Sequence, residues 1–364
     1  MKFIEIQNID LNKEPLHVRI KQIIRGYIND NQPEFLPSER VFQQKMNVSR
    51  TTVRKALGEL EQERRIMAVH GKGYRVLYRK AGEQLKGYIG VAINTGMPEY
   101  EHEVFNRIID HIYKSGFSPL VTVINPQYEL VAEKLAVLLS NVDGIILASS
   151  FFARLEVAAG MKDYFNKLVA VPYRLRNDVE IPAVYAEMEK SYEKLAGHLL
   201  RRGHRQIAVL VNSGDKGRIS GIENAFHKLN IEPDRGLYLD TRGYRHCGYE
   251  QFGELLAKRK PFTAVICQND PCALGVMERC FKEGISVPDE VSIAGFDNVE
   301  KSELYPVPLT TAGIDLAKMA RCALELLLEG IRTGKPAQAV AIDSKLIIRD
   351  SVRKVKSEKL RQVP

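Results

Sequence analysis

Apolar residues at Leu16, Ile20, Ile23, Ile24, Tyr27 and Ile28 recur at the three- and four-residue spacing of a single helical face. Pro15 opens that helix, and Asn29-Asp-Asn-Gln-Pro33 breaks it. Leu36-Pro-Ser38 starts a second, short helix with Ser38 as N-cap, ending near Met46-Asn47. Ser49 caps a third, Arg50 to about Gln62, with Val53, Ala56, Leu57 and Leu60 as its apolar stripe. Arg50, Thr51 and Arg54 lie on another face, near its beginning. Helices joined by a turn as tight as Met46-Asn-Val-Ser49 predict a helix-turn-helix, whose second helix presents its start to a major groove. Ile66-Met-Ala-Val69 and Tyr74-Arg-Val-Leu77 then flank His70-Gly-Lys-Gly73. This predicts a β-hairpin with His70 and Lys72 at its tip, a wing suited to minor-groove or phosphate contact.

From Tyr88 onward short aliphatic runs alternate with helical segments. Strands are predicted at Tyr88–Ile93, Leu120–Ile124, Gly144–Ala148, Leu168–Val171, Gln206–Val211, Ala264–Cys267 and Val291–Gly295. Helices are predicted at Glu101–Ser115, Glu187–Arg202 and Ala317–Arg332. Such alternation, with strands apolar on both faces, means an α/β fold of parallel sheets flanked by helices. The span to Asp350 accommodates two such sheets better than one. The expected division is a DNA-binding domain at 1–78, a polar linker at 79–87, a two-lobed domain at 88–350 and a basic tail at 351–364.

Ligands in open α/β sheets bind beyond the carboxyl ends of the strands. The candidates are therefore Asn94 and Thr95, Ser149 to Phe151, Tyr173 and Arg174, Asn269 and Asp270, and Asp297 and Asn298. The set suits a polyol, since carboxylate, amide and guanidinium groups grip hydroxyls while aromatic faces cover a sugar ring. Each residue also has a plainer reading: Asn, Asp and Ser terminate strands and cap the helix that follows.

Charge sharpens this picture. The net formal charge of +8 is unevenly spread. Residues 1–86 carry 17 basic against 10 acidic side chains, residues 87–350 carry 31 against 34, and the tail 5 against 1. A basic module before a mildly acidic body points to a polyanion bound through the first segment. No apolar run approaches the length of a membrane span, and no secretory signal is visible, so a soluble, cytoplasmic protein is expected. The five cysteines form no disulfide framework, and Cys267, Cys272 and Cys280 lack the paired spacing of a zinc site. His198 and His204 read as structural. Neither a nucleophile elbow nor a dinucleotide fingerprint occurs, and neither metal nor cofactor is expected.

Leu36-Pro-Ser-Glu-Arg40, Val48-Ser-Arg-Thr-Thr-Val-Arg54, Ala56-Leu-Gly-Glu-Leu60 and His70-Gly-Lys-Gly73 resemble, in order, the winged helix of the GntR family of bacterial regulators, over about residues 14–77. That resemblance implies DNA contact by Arg40, Ser49, Arg50, Thr51, Thr52, Arg54, His70 and Gly71, with Lys72 beside them on the wing. The alternatives are that Thr52 only stabilises its helix, Gly71 only permits the turn, and Arg40 pairs with a carboxylate.

Leu199-Leu-Arg-Arg-Gly-His-Arg-Gln-Ile-Ala208, Arg218-Ile-Ser-Gly221, Ala264-Val-Ile-Cys-Gln-Asn-Asp270, Val287 to Asp297 and Leu309-Thr-Thr311 resemble the effector domain of the lac/gal repressor family. That domain is similar to periplasmic sugar-binding proteins, with two lobes and a ligand between them. The resemblance implies effector contact by Arg218, Asn269 and Asp297, and less closely by Asn94, Ser149, Phe151 and Arg174. The combination looks like the arabinose-repressor branch of GntR regulators. It implies a homodimeric repressor on operator DNA, controlled by a monosaccharide or its derivative. A nucleobase effector, or an α/β enzyme carrying a nucleic-acid module, are the alternatives.

Overall fold

The computed structural model describes residues 15–31, 33, 35–63, 65–69, 73–76, 87–125, 130–154, 161–173 and 181–355. They fall into two compact units. The first draws on residues up to 97, 105–183 and 320–339, and the second on 98–104, 184–319 and 340 onward.

The first unit opens with three helices, α1 (Leu16–Asn31), α2 (Glu39–Met46) and α3 (Arg50–Gln62), and a hairpin of β1 (Ile66–Val69) and β2 (Gly73–Val76). Ile20, Ile24, Phe42, Val53, Leu57 and Leu60 bury together with Ile66 and Val76, so the hairpin closes the core that the helical stripes begin. Asn47 takes the left-handed conformation that ends α2 and makes the tight turn into α3. Glu59 on α3 and Glu63 at its C-cap pair with Lys21 and Arg25 on α1. Leu36 N donates to Tyr74 O at 2.8 Å, tying the entry to α2 to the second hairpin strand. That strand begins one residue earlier than the apolar pattern suggests, because Gly73 pairs with Val69; Leu77 lies outside the described residues.

The body of this unit is a parallel sheet in the order β4 (Ser118–Ile124), β3 (Tyr88–Asn94), β5 (Gly144–Ala148), β6 (Leu168–Val171). The helices α4 (Glu99–Lys114) and α5 (Val131–Asn141) connect the first three strands. β5 is buried at every residue, as expected of a strand covered on both faces, whereas the edge strand β4 is largely exposed.

In the second unit the chain runs β7 (Val184–Ala186), α6 (Met188–Arg201), β8 (Ile207–Leu210), α7 (Lys216–His227), β9 (Tyr238–Leu239), α8 (Arg245–Ala257), β10 (Ala264–Cys267), α9 (Asp270–Glu283), β11 (Ser292–Asp297), β12 (Thr310–Ile314), α10 (Leu316–Thr333), β13 (Val340–Ile342) and β14 (Ser344–Ile347). The far part of α10 belongs to the first unit. Six strands form a sheet in the order β14-β12-β11-β10-β8-β9, parallel except for β14, which runs antiparallel to β12; β13 pairs with β7 separately. Phe252, Phe262, Val265 and Val276 pack in the core between this sheet and α8 and α9, together with Cys267, Cys272 and Cys280. Among the described residues no helix is long and apolar enough to cross a membrane.

His204 is fully buried after the end of α6. Its Nε2 faces Arg353 O at 3.2 Å and its Nδ1 faces Thr263 Oγ1 at 2.9 Å. A neutral ring that donates from Nε2 and accepts at Nδ1 satisfies both. Burial, the main cause, pushes its pKa down to about 4, against about 6.5 in an unfolded chain. The folded chain therefore binds fewer protons than the unfolded chain between those values. The stability from the neutral ring is complete above the unfolded value and is lost as pH falls toward 4. Thermal unfolding should show a steeper loss for the wild type than for His204→Gln over that window. Equal slopes would remove His204 as the cause.

Candidate functional site

The first candidate surface is the start of α3. Ser49 occupies its N-cap, accepting from Thr52 N at 3.2 Å, and its hydroxyl lies 2.7 Å from Thr51 Oγ1 and 2.8 Å from Thr52 Oγ1. Ser49 and Thr52 thus hold the helix end in shape. Ser38 stands at the N-cap of α2 but makes no side-chain capping bond.

Arg50 and Arg54, one helical turn apart, are both exposed, and both reach back to one carboxylate. Arg50 Nε donates to Glu39 Oε2 at 3.0 Å, and Arg54 Nε donates to Oε1 at 3.1 Å and Oε2 at 3.0 Å. Burial raises the Glu39 pKa, but the two arginines outweigh it and hold the carboxyl below its ordinary value. Arg40 is exposed on α2 beside Glu39. His70, Gly71 and Lys72 lie outside the described residues. Sequence reading passed over Glu39, although it stands in the quoted Leu36-Pro-Ser-Glu-Arg40 run at the first position of α2.

The second set lies at the carboxyl ends of strands. In the first unit, Asn94 ends β3 and Ser149 follows the neighbouring strand β5. Ser149 Oγ donates to Asn94 Oδ1 at 2.5 Å and accepts from Phe151 N at 3.2 Å, while Asn94 Nδ2 donates to Thr95 O at 2.9 Å. Phe151 is half-buried, edge-on to Phe152 at 5.3 Å. Arg174 lies outside the described residues.

In the second unit, Arg218 sits in the first turn of α7, buried. It pairs with Asp215, the helix N-cap, and its Nε donates to Tyr192 Oη at 3.1 Å. Its guanidinium lies over the rings of Tyr192 and Phe296, at 5.4 and 5.9 Å. Those rings stack at 5.2 Å, and Tyr192 Oη donates to Gln268 O. Arg218 is thereby fixed beside the end of β11, where Asp297 sits. The plainer reading of Arg218, a pair with a nearby carboxylate, is what the geometry contains. Asn269 likewise caps α9, its Oδ1 accepting from Cys272 N at 3.1 Å. The strand before Asp297 also runs further than the aliphatic run suggests, ending on Asp297 itself.

Two aspartates at this edge behave in opposite ways. Asp270 is completely buried and satisfied: Oδ1 accepts from Thr311 Oγ1 at 2.6 Å, Oδ2 accepts from Val299 N at 3.0 Å, and the Ser302 hydroxyl adds a further bond. Gly295 makes the room, since a Cβ there would lie 2.3 Å from Asp270 Oδ1. Burial pushes the Asp270 pKa up to about 7 against these bonds and the Arg349 charge. Asp297 is only 7% exposed, yet no described residue donates a hydrogen bond to its carboxylate. Burial chiefly, and the Asp270 charge, hold its pKa well above the carboxylate range, with Arg218 pulling the other way. Its backbone is strained as well, at φ 106°, and Asn298 follows at φ 53°.

One aromatic beside this edge escaped the sequence reading. Gly243, at φ 78°, lies so close that a Cβ would stand 2.9 Å from Asn269 Nδ2 and 3.0 Å from Gln268 Nε2. Tyr244 follows it, exposed, and stacks on His246 at 5.6 Å.

Residues 18–76 match the family described as bacterial regulatory proteins, gntR family, and residues 196–352 match the periplasmic binding protein-like domain. The chain joins a GntR domain to a periplasmic-binding-protein-like domain. It is 28% identical over 362 residues to the arabinose metabolism transcriptional repressor of Geobacillus stearothermophilus, covering 94% of this chain and 98% of the relative. It is also 28% identical over 275 residues to the HTH-type transcriptional repressor PurR of Actinobacillus pleuropneumoniae serotype 3, covering 73% of this chain and 81% of that one. Among solved structures, a LacI family regulator of Enterococcus faecium with bound ribose superposes with a TM-score of 0.65 at 24% identity, covering 74% of this chain and 100% of that one. The CelR–cellobiose complex superposes with a TM-score of 0.64 at 17% identity, covering 93% and 100%. At such identities the structures establish the fold of this GntR-linked domain and nothing finer.

The contrast between the two aspartates has a measurable consequence. Asp297→Asn should leave the thermal midpoint of the ligand-free chain within about 2 °C of wild type, because no described residue donates a hydrogen bond to the carboxyl it replaces. Asp270→Ala should destabilise it by about 3 kcal/mol, by stranding the Thr311 and Val299 donors. Asp297→Asn behaving like Asp270→Ala would show that Asp297 is structural.

Proposed function

We propose that this chain is a sequence-specific transcriptional repressor of carbohydrate-utilisation genes. It binds operator DNA through the winged helix and is controlled by a monosaccharide held at Asp297. It works in the cytoplasm as a homodimer on a palindromic site, and it senses without catalysing. The carrying observation is the Asp297 carboxylate, buried and strained but without a hydrogen-bond donor among the described residues, in a chain that begins with a GntR domain. Strain and unmet bonding cost stability and persist where a site uses them.

Several features support the reading. Hydroxyls of a sugar supply the donors that Asp297 lacks, and Arg218 is held beside it by Tyr192 and Asp215. Asn269 is the further proposed contact in the second unit; Asn94, Ser149, Phe151 and Arg174 are the candidates that the first unit offers by itself. Phe281 and Leu304 leave apolar surface exposed, at 90% and 77%, which a second copy would cover. On the DNA side, Arg50 and Arg54 reach base edges, Arg40, Ser49, Thr51 and Thr52 meet the backbone around them, and His70, Gly71 and Lys72 serve the wing. The DNA-binding module ends near residue 78, and 79–87 link it to the effector domain.

Operator affinity with and without sugar tests both halves. Arg54→Ala should cost on the order of 1–3 kcal/mol in operator binding and relax sequence preference. Asp297→Ala should keep operator binding and lose the response to sugar. A folded Asp297→Ala protein that responds at the wild-type sugar concentration would remove Asp297 from the site.

Glu39 adds a separate expectation. Its carboxylate competes with DNA for both recognition arginines. Glu39→Gln should therefore raise affinity for non-operator DNA and steepen the salt dependence by about one unit. An unchanged salt slope would show that the arginines leave Glu39 at no cost.

A further inference from the structure

We propose that the winged helix is held on the body of the first unit through the outer face of its hairpin. This contact, rather than the connecting segment, sets the direction in which α3 meets DNA. The proposal rests on the reading of the chain as a DNA-binding repressor, and it concerns how the DNA module and the body act together.

The hairpin has two faces, because side chains alternate along a strand. Ile66 and Val76, opposite each other in the ladder, turn inward and join the core of the three helices. Met67, paired with Arg75, lies on the other face and outside that core. An apolar side chain there would meet water in an isolated module. Instead Met67 is only 5% exposed, while its neighbour Ala68 is exposed. Met67 meets Gly116, in the turn between α4 and β4 of the same unit. A Cβ on Gly116 would stand 2.6 Å from Met67 Cγ and closer still to its Sδ, so the thioether packs on bare backbone with no room for a side chain.

Gly116 also has a local duty. It ends α4 at φ 79°, with Gly116 N donating to Tyr113 O at 2.9 Å and Phe117 N to Ile112 O at 3.2 Å. That duty explains the glycine. It does not explain why a methionine on the outer face of a hairpin, far off in sequence, is buried against it. The contact also lies two residues before Ser118, whose N donates to Gly87 O at 3.0 Å where the chain enters β3.

The contact leaves the DNA-facing side open. With the hairpin docked, the side chains of Arg50 and Arg54 are 62% and 57% exposed. The docked arrangement is therefore one that can meet DNA. A covalent connection limits distance but not direction, whereas a packed contact fixes both. In a dimer, two recognition helices oriented in advance fit one half-site spacing. Movement of the body then carries α3 with it.

The test uses the full-length chain. A thiol placed by Met67→Cys should react with a maleimide about ten-fold more slowly than one placed by Ala68→Cys, and equal rates would overturn the contact. In the double variant Met67→Cys/Gly116→Cys the crowding thioether is gone, and the two Cβ positions lie 3.8 Å apart, the separation found in disulfides. Oxidised glutathione should take two electrons and two protons from this pair, and peptide mapping should find the bond apart from the five native cysteines. A folded double variant that forms no such bond would also overturn the contact.

The DNA arm uses a duplex selected by the wild-type chain from random sequence, and the same duplex lengthened between its half-sites by a fraction of a helical turn. The cross-linked protein should bind the selected duplex within about two-fold of its reduced form. A loss of about ten-fold, regained on reduction, would overturn the proposal, because the docked state would then be the one that does not bind DNA. Wild type should bind the lengthened duplex about ten-fold more weakly than the original, and Met67→Asp should narrow that ratio to about three-fold. A ratio unchanged in Met67→Asp would overturn the proposal, since the connecting segment would then set the orientation. If the wild type selects no duplex although the disulfide forms, the repressor reading fails and the DNA role proposed here fails with it.

Discussion

The carboxylate of Asp270 gathers the strand ends on which the second unit's site depends. It takes a hydroxyl from β12 through Thr311 and the backbone amide of Val299 just beyond β11, and adds the Ser302 hydroxyl. A buried carboxylate is costly unless its bonding capacity is filled, and filled in this way it rigidifies what it touches. The last residue of the strand, Asp297, and Asn298 after it lead to the Val299 anchor, both at positive φ. Such conformations cost on the order of 1–3 kcal/mol each and survive only where the surroundings dictate them. The Val299 bond on one side and Arg349 on the Asn298 side chain supply that dictation. Asp297 is thus pinned in place by its neighbours while its own carboxylate is left open.

The same division between holding and acting recurs in the winged helix. Ser49 and Thr52 cap α3 and fix where it begins, and Glu39 orients Arg50 and Arg54 on its first turns. An arginine held by a carboxylate is ordered in advance but must exchange that partner for DNA. The pairs are exposed, at 62% and 57% for the arginine side chains, so the attraction to be given up is modest. What remains is a charge filter: non-specific phosphate competes with Glu39, whereas a base edge that accepts both hydrogen bonds of a guanidinium competes better.

How much of this was legible in the chain follows from where the determinants lie. The three helices carry their own periodicity and caps, so Leu16, Ser38 and Ser49 mark them from the sequence alone. The buried parallel strands, such as Gly144–Ala148 and Ala264–Cys267, announce themselves as aliphatic runs. The strands at Thr310–Ile314 and Ser344–Ile347 do not, because Thr-Thr-Ala-Gly-Ile and Ser-Lys-Leu-Ile owe their conformation to partners distant in sequence. Residue positions at strand ends were legible; their roles were not. Nothing in the sequence distinguishes Asp270 from Asp297, since both follow an aliphatic run and both can cap a loop. Only three-dimensional contacts show that Thr311 and Val299 satisfy one and no described residue donates to the other.

This has a bearing on how the plainer readings should be weighed. Asn269 caps a helix, Arg218 pairs with a carboxylate and Thr52 stabilises its helix end, and each would seem explained by structure alone. Yet a cap uses one acceptor of Asn269 and leaves its amide donors, and the Asp215 pair fixes Arg218 beside Asp297. Structural commitment and ligand contact compete only for the same atoms. Where a side chain has capacity left after its structural bonds are made, those bonds pre-orient it and lower the entropic cost of holding a ligand. Asp297 is the limiting case, with no hydrogen-bonding capacity spent among the described residues, and the groups around it spend theirs on keeping it where it is.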